Sequence, residues 1–146
     1  MKGEDMMKSS VYPAVTVTDE GKAFLLGGQS WMYRNNLKEM EQGAENGRPV
    51  RVIAEDGTYI GTGFLSMKSH ITVRILTRDP DQLLDSSFFR QRIESAWRFR
   101  KTTERENIDN CRLIFGESDL LSGLTVDRYN EILSVHILEI LNNCTK

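Results

Sequence analysis

The chain has 146 residues, of which 39% are hydrophobic and 27% charged, and its formal net charge is −2. Such a composition suits one ordinary domain or two small ones and shows no sign of a long disordered tract. The slightly acidic balance excludes indiscriminate coating of nucleic acid, so any contact with a polyanion must come from a local basic patch.

Residues 1–10 read as a flexible lead-in. Residues 11–18, rich in Val and Thr, predict a strand, and Asp19-Glu20-Gly21 predicts a turn. The apolar cluster Ala23-Phe24-Leu25-Leu26, closed by Gly27-Gly28, predicts one or two helical turns over 22–28. Residues 30–37, with Trp31, Met32 and Tyr33, suit a second strand, and 43–49 a polar loop. Residues 50–54 and 59–66 predict a hairpin across Glu55-Asp56-Gly57-Thr58, because Asp-Gly readily supplies the positive φ angles of a tight turn. Gly61 and Gly63 in the return strand point to a bulge or a sharp barrel corner. Residues 71–77 alternate Ile71, Val73 and Ile75 against Thr72, Arg74 and Leu76, the pattern of a half-buried strand. Short strands with turn signals about every ten residues predict a small barrel over 11–78.

Composition shifts at Arg78-Asp79-Pro80-Asp81, a predicted domain boundary. Helical periodicity over 86–101 puts Phe89, Ile93, Ala96 and Trp97 on one stripe. Arg90, Arg98, Lys101 and Arg105 fall on the adjacent face, and Ser86 or Ser87 is the expected N-cap. A strand is expected over 111–115 and a loop over 116–123. A hairpin is expected from 124–127 and 132–141, with Leu133, Val135, Ile137 and Leu138 reading as a buried strand. No covering helix follows that strand, so residues 79–146 read as a partial, truncated α/β domain. The expected fold class is α+β.

Candidate chemistry is sparse. Cys111 and Cys144 have no C-x-x-C or Cys/His spacing, and His70 and His136 have no ligand-type neighbours, so no metal site is expected. Cys111 reads as a small core residue. No apolar run approaches membrane-spanning length and the first eight residues have no signal-like apolar core, so a cytoplasmic location is expected. Trp31, Tyr33 and Arg34 either stack on an unpaired base and contact phosphate or pack the barrel rim. Lys68, His70 and Arg74 either line an RNA-facing edge or are ordinary solvated residues. Arg90, Arg98, Lys101 and Arg105 form the densest basic patch; they either track a phosphate backbone or suit a helix C-terminus. Asp119, Asp127 and Arg128 sit at strand and hairpin ends, where such residues satisfy loop amides or pair with each other.

Three stretches together resemble one family: Leu25-Leu26-Gly27-Gly28-Gln29-Ser30-Trp31-Met32-Tyr33-Arg34-Asn35; Gly61-Thr62-Gly63-Phe64-Leu65-Ser66 with residues 71–79; and residues 111–129, which contain Phe115-Gly116-Glu117-Ser118-Asp119-Leu120-Leu121-Ser122-Gly123-Leu124-Thr125-Val126-Asp127-Arg128-Tyr129. They are similar to bacterial large-subunit (23S) rRNA cytosine-C5 methyltransferases that depend on S-adenosylmethionine. The resemblance covers residues 11–140. It implies a PUA-like β-barrel over 11–78, then part of a central α/β domain, with the Rossmann-like catalytic domain missing. It further implies large-subunit rRNA as partner, S-adenosylmethionine as a cofactor only of the full-length family, and no catalytic residue in this chain. Gln29-Ser30 stands where the family pattern commonly has His-Pro. No G-x-G-x-x-G turn occurs, so no cofactor site is expected here. A homodimer and a non-catalytic structural or partner-binding remnant without RNA affinity remain open as alternatives.

Overall fold

The computed structural model describes residues 11–137. The lead-in expected over 1–10 and the apolar Leu138 lie outside the described residues. Nine strands and two α-helices follow one another among them. These are β1 (Ala14–Val17), α1 (Asp19–Leu26), β2 (Trp31–Tyr33), β3 (Leu37–Met40), β4 (Pro49–Ala54), β5 (Tyr59–Leu65), β6 (Ile71–Thr77), α2 (Ser86–Thr103), β7 (Asn110–Phe115), β8 (Leu124–Tyr129) and β9 (Ile132–Ile137).

Six strands form one sheet in the order β2-β6-β5-β4-β1-β3, antiparallel throughout except for the parallel β1–β4 pair. The two edges of that sheet, β2 and β3, are joined by only the 3₁₀ turn Arg34–Asn36. Three residues span only about 10 Å, so so short a link forces the sheet to curl until its edges approach. Residues 30–37 are therefore not one strand: the 3₁₀ turn breaks them where the chain crosses from one edge to the other. Inside the curl, Val15, Val17, Leu25, Met32, Val50, Val52, Ile60, Leu65, Val73 and Ile75 form the core. Burying each such side chain stabilises the barrel by roughly 1.5–3 kcal/mol.

α1 begins at Asp19, so Asp19-Glu20-Gly21, expected as a turn, forms its first turn, three residues before the expected helix start. The Thr18 hydroxyl accepts the Gly21 amide at 3.2 Å, and Asp19 and Glu20 occupy the first turn, where the helix dipole favours them. The helix presents Leu25 to the barrel and leaves Phe24 and Leu26 exposed. The Asp56-Gly57 hairpin forms, with Gly57 at φ +82°. The glycine-marked irregularity also forms: β5 shifts register against β6 between Thr62 and Gly63.

β6 differs from the expected half-buried strand. Thr72 and Leu76, on its outer face, are buried too. Phe64, Leu76, Leu84 and Phe88 make a second cluster where α2 covers that face. α2 is capped by Asp85, whose carboxylate accepts the Phe88 amide at 2.9 Å, rather than by Ser86 or Ser87. Its buried stripe is rotated from the expected one. Phe88 and Ala96 are buried and Phe89 packs beside them, whereas Ile93 is exposed. The helix must satisfy two bodies, the barrel through Phe88 and the second sheet through Ala96, and this moves its buried line.

The second sheet runs β7-β8-β9, all antiparallel. One face packs on α2 through Ile114, Leu121 and Val126. Leu133, Val135 and Ile137 were expected to be buried; all three are exposed. β9 is an edge strand, and no described element covers it.

Candidate nucleic-acid interface

Two sets of candidate residues emerge on different elements. On the barrel, Trp31 and Tyr33 belong to edge strand β2, whose partner is β6. Trp31 stands in register with Arg74, and the Phe24 and Tyr33 rings lie 6.1 Å apart, both more than a third exposed. The Arg34 guanidinium donates to the Met67 carbonyl and its amide donates to His70. Arg34 is thereby held against the loop that carries Lys68 and His70. Phe24, Tyr33, Arg34, Lys68 and His70 thus share one exposed edge of the barrel.

Arg74 is not the solvated residue expected. It is half-buried, and its Nε and Nη1 atoms, like the Thr72 hydroxyl, are buried without a hydrogen-bond partner among the described residues. Burial holds its guanidinium below the ordinary arginine value, partly offset by Glu117. Arg74 is therefore drawn out of solvent on the face of β6 that also carries Thr72 and Leu76.

A residue that sequence reasoning missed organises this edge. The Arg78 guanidinium donates to the carbonyls of Ile60 (3.2 Å), Leu25 (3.0 Å) and Gln29 (2.8 Å). α1 has no basic residue in its last turn, and Arg78 satisfies the Leu25 carbonyl near its C-terminus instead. It thereby fixes the Gly27–Ser30 segment that leads into Trp31. Its partners lie up to 53 residues away, so no local pattern marked it.

On α2, Arg90, Arg98 and Lys101 are exposed, as is Arg105 just after the helix. Arg98 is loosely paired with Glu94 at 3.7 Å, and Lys101 lies 5.5 Å from the Trp97 ring. Arg100 is different: it is buried against Asp119 at 2.8 Å. Asp127 and Arg128 do not pair with each other. Asp127 is held by Arg112 at 2.8 Å, which keeps its carboxyl below the usual range, and Arg128 pairs with Asp109. Cys111 is half-buried, and burial pushes its thiol up.

No group of three or more His, Cys, Asp or Glu gathers among the described residues, and no described helix is long and apolar enough to cross a membrane. The described residues do not fit S-adenosylmethionine either. Gly27-Gly28 follows a helix instead of joining a strand to one, and both helix N-termini have an amide taken by a side-chain cap.

Residues 15–78, which hold nearly all of the curled six-stranded sheet and α1, match the family model described as a PUA-like domain. Residues 15–78 form a PUA-like domain. The PUA-like domain and the adjoining helix and sheet together make a mixed α+β fold. The chain is 31% identical over 133 residues to ribosomal RNA large subunit methyltransferase I of Klebsiella pneumoniae, covering 90% of this chain and 33% of that protein. It is 32% identical over 115 residues to the protein of the same name from Shigella boydii, covering 78% and 29%. The fold also matches a solved structure described as a SAM-dependent methyltransferase from Streptococcus mutans. That match has a TM-score of 0.75 at 15% identity, over 90% of this chain and 34% of that one. The chain spans about a third of the length of the curated relatives it matches.

Proposed function

We propose that this chain is the rRNA-recognition part of an S-adenosylmethionine-dependent large-subunit rRNA methyltransferase of the cytosine-C5 class, acting in the cytoplasm, without a methyl-transfer site of its own. The observation that supports it is the PUA-like domain joined to a second unit whose exposed α2 face is basic, within a chain similar to ribosomal RNA large subunit methyltransferase I along nine-tenths of its length. The proposed division is a barrel over 11–78 and a partial central domain over 79–146.

The chemistry fits recognition by backbone and shape. Phe24, Trp31 and Tyr33 offer ring surface beside Arg34, and Arg90, Arg98 and Lys101 offer a row of cations along α2. With an overall charge of −2, affinity must come from those local groups. The cofactor chemistry belongs to the part of the relatives' length that this chain does not span.

Binding to a large-subunit rRNA fragment, measured against salt concentration, tests the reading. Affinity should fall steeply with salt, and each phosphate contact removed by Arg90→Glu or Arg98→Glu should lower the log–log slope by about one. Absence of binding at low salt, or a slope unchanged by both reversals, refutes it.

A further inference from the structure

A groove of about 420 Å³ runs between α2 and the 3₁₀ turn Gly116–Asp119, lined by Gln91, Arg92, Ser95, Phe99, Ser118 and Leu120 among others. None of these six was among the candidate site residues read from the sequence. Its apolar members are unusually open: Phe99 is 56% exposed and Leu120 is 55% exposed. Leu120 also holds a left-handed backbone, φ +57°, which costs a branched residue energy and is kept only where the surroundings impose it. The polar members are the kind that read a base edge. The Gln91 amide both donates and accepts, and Ser95 and Ser118 carry hydroxyls.

The charge around the groove favours an anion. Asp119 is its one carboxylate, and that carboxylate is already engaged by Arg100 and by the Phe115 amide. Arg92 has no carboxylate partner among the described residues; it lies over the Phe88 ring and donates weakly to the Leu76 carbonyl. The exposed basic row adjoins the groove, because Arg98 follows Ser95 by three residues and Gln91 by seven, placing them side by side on the helix. The volume lies within the range of small-ligand sites, roughly 300–1,000 Å³.

We infer that this groove receives one unpaired base of an RNA strand whose phosphates run along Arg98 and its basic neighbours. The inference rests on the RNA-binding reading and adds the site, the kind of nucleotide and the residues that hold it. Phe99 stacks on the base, Gln91, Ser95 and Ser118 hydrogen-bond its edge, and Arg92 and Arg98 take the flanking phosphates.

The test compares three RNA hairpins by fluorescence anisotropy with the full chain: fully paired, with a single-nucleotide bulge, and with that bulge made abasic. The bulged hairpin should bind about tenfold tighter than the other two, as expected of one stacked base. Phe99→Ala, and Ser95→Trp, which fills the groove, should each abolish that preference while leaving affinity for the paired hairpin and its salt slope unchanged. Ser95 is exposed, so Ser95→Trp should keep the parent melting temperature; the Arg100 guanidinium lies 5.1 Å from the Phe99 ring, so Phe99→Ala is read only after its melting curve shows the chain folded at the assay temperature. Equal affinity for all three hairpins, or a preference that survives both substitutions, overturns the inference and leaves the RNA-binding reading standing. Failure to bind any hairpin at low salt overturns both.

Discussion

Beside the apolar contacts of Ala96, Arg100 supplies the polar link between α2 and the second sheet. Its Nη2 donates to Asp119 at 2.8 Å and its Nε donates to the Arg112 carbonyl at 2.8 Å. The paired side chains are only 11% and 9% exposed, and Asp119 also accepts the Phe115 amide at 2.6 Å. Arg100→Met keeps length and apolar contact but strands the carboxylate. Truncating one partner of a desolvated ion pair typically costs about 3–5 kcal/mol. The lost bond to the Arg112 carbonyl overlaps with that figure and by itself contributes about 1 kcal/mol. The expected loss is therefore about 4 kcal/mol, a large share of a total stability of about 5–15 kcal/mol. Arg100→Lys keeps the charge without the guanidinium fork and should lose less. Arg100→Met with Asp119→Asn removes the stranded charge and should recover about half the deficit. Urea unfolding followed by far-UV circular dichroism measures all three. A loss below about 1 kcal/mol for Arg100→Met, or a double variant no more stable than the single, would refute this account of the junction.

Other consequences are equally open to measurement. A Cβ at Gly63 would stand 1.9 Å from the Arg74 carbonyl oxygen, so Gly63→Ala must push β5 from β6; a loss of about 3 kcal/mol or more is expected in the same urea assay. Arg112 holds the Asp127 carboxyl below its ordinary value. The pair's contribution should therefore be complete above about pH 4 and disappear as pH falls further, an acid dependence that Asp127→Asn should flatten. β9 is an apolar edge with no charged residue from Ile132 to Ile137, so Val135→Lys should lower self-association in sedimentation runs without changing the melting temperature. Burial raises the Cys111 thiol, so in a Cys144→Ser background its alkylation near pH 8 should be slower than that of a free thiol.

Local signals carried much of the barrel. The Asp56-Gly57 turn and the strand over 71–77 depend on backbone chemistry confined to a few neighbouring residues, and both are present in the structure, although burial of Thr72 and Leu76 removes the half-buried alternation expected of that strand. The exposure of Arg90, Arg98 and Lys101 on one side of α2 was likewise legible from spacing. Two local readings failed for local reasons. Asp19-Glu20 is a helix first turn as well as a turn signal, and Asp85 outcompetes the serines after it as a cap. Arg78, Arg100 and the Phe99–Leu120 groove left no trace, because each depends on partners distant in the chain.

By itself the amino-acid order determined the strand and helix propensities, the tight turn, the glycine irregularity and the basic row on α2, since each follows from periodicity or backbone freedom over a few residues. Only the tertiary structure decided which face of α2 is buried, that Arg74 is drawn out of solvent while Arg98 stays in water, and that β9 is left bare among the described residues. Those outcomes depend on which surfaces meet, and a helix packed between two sheets turns to the angle that buries the most apolar area against both.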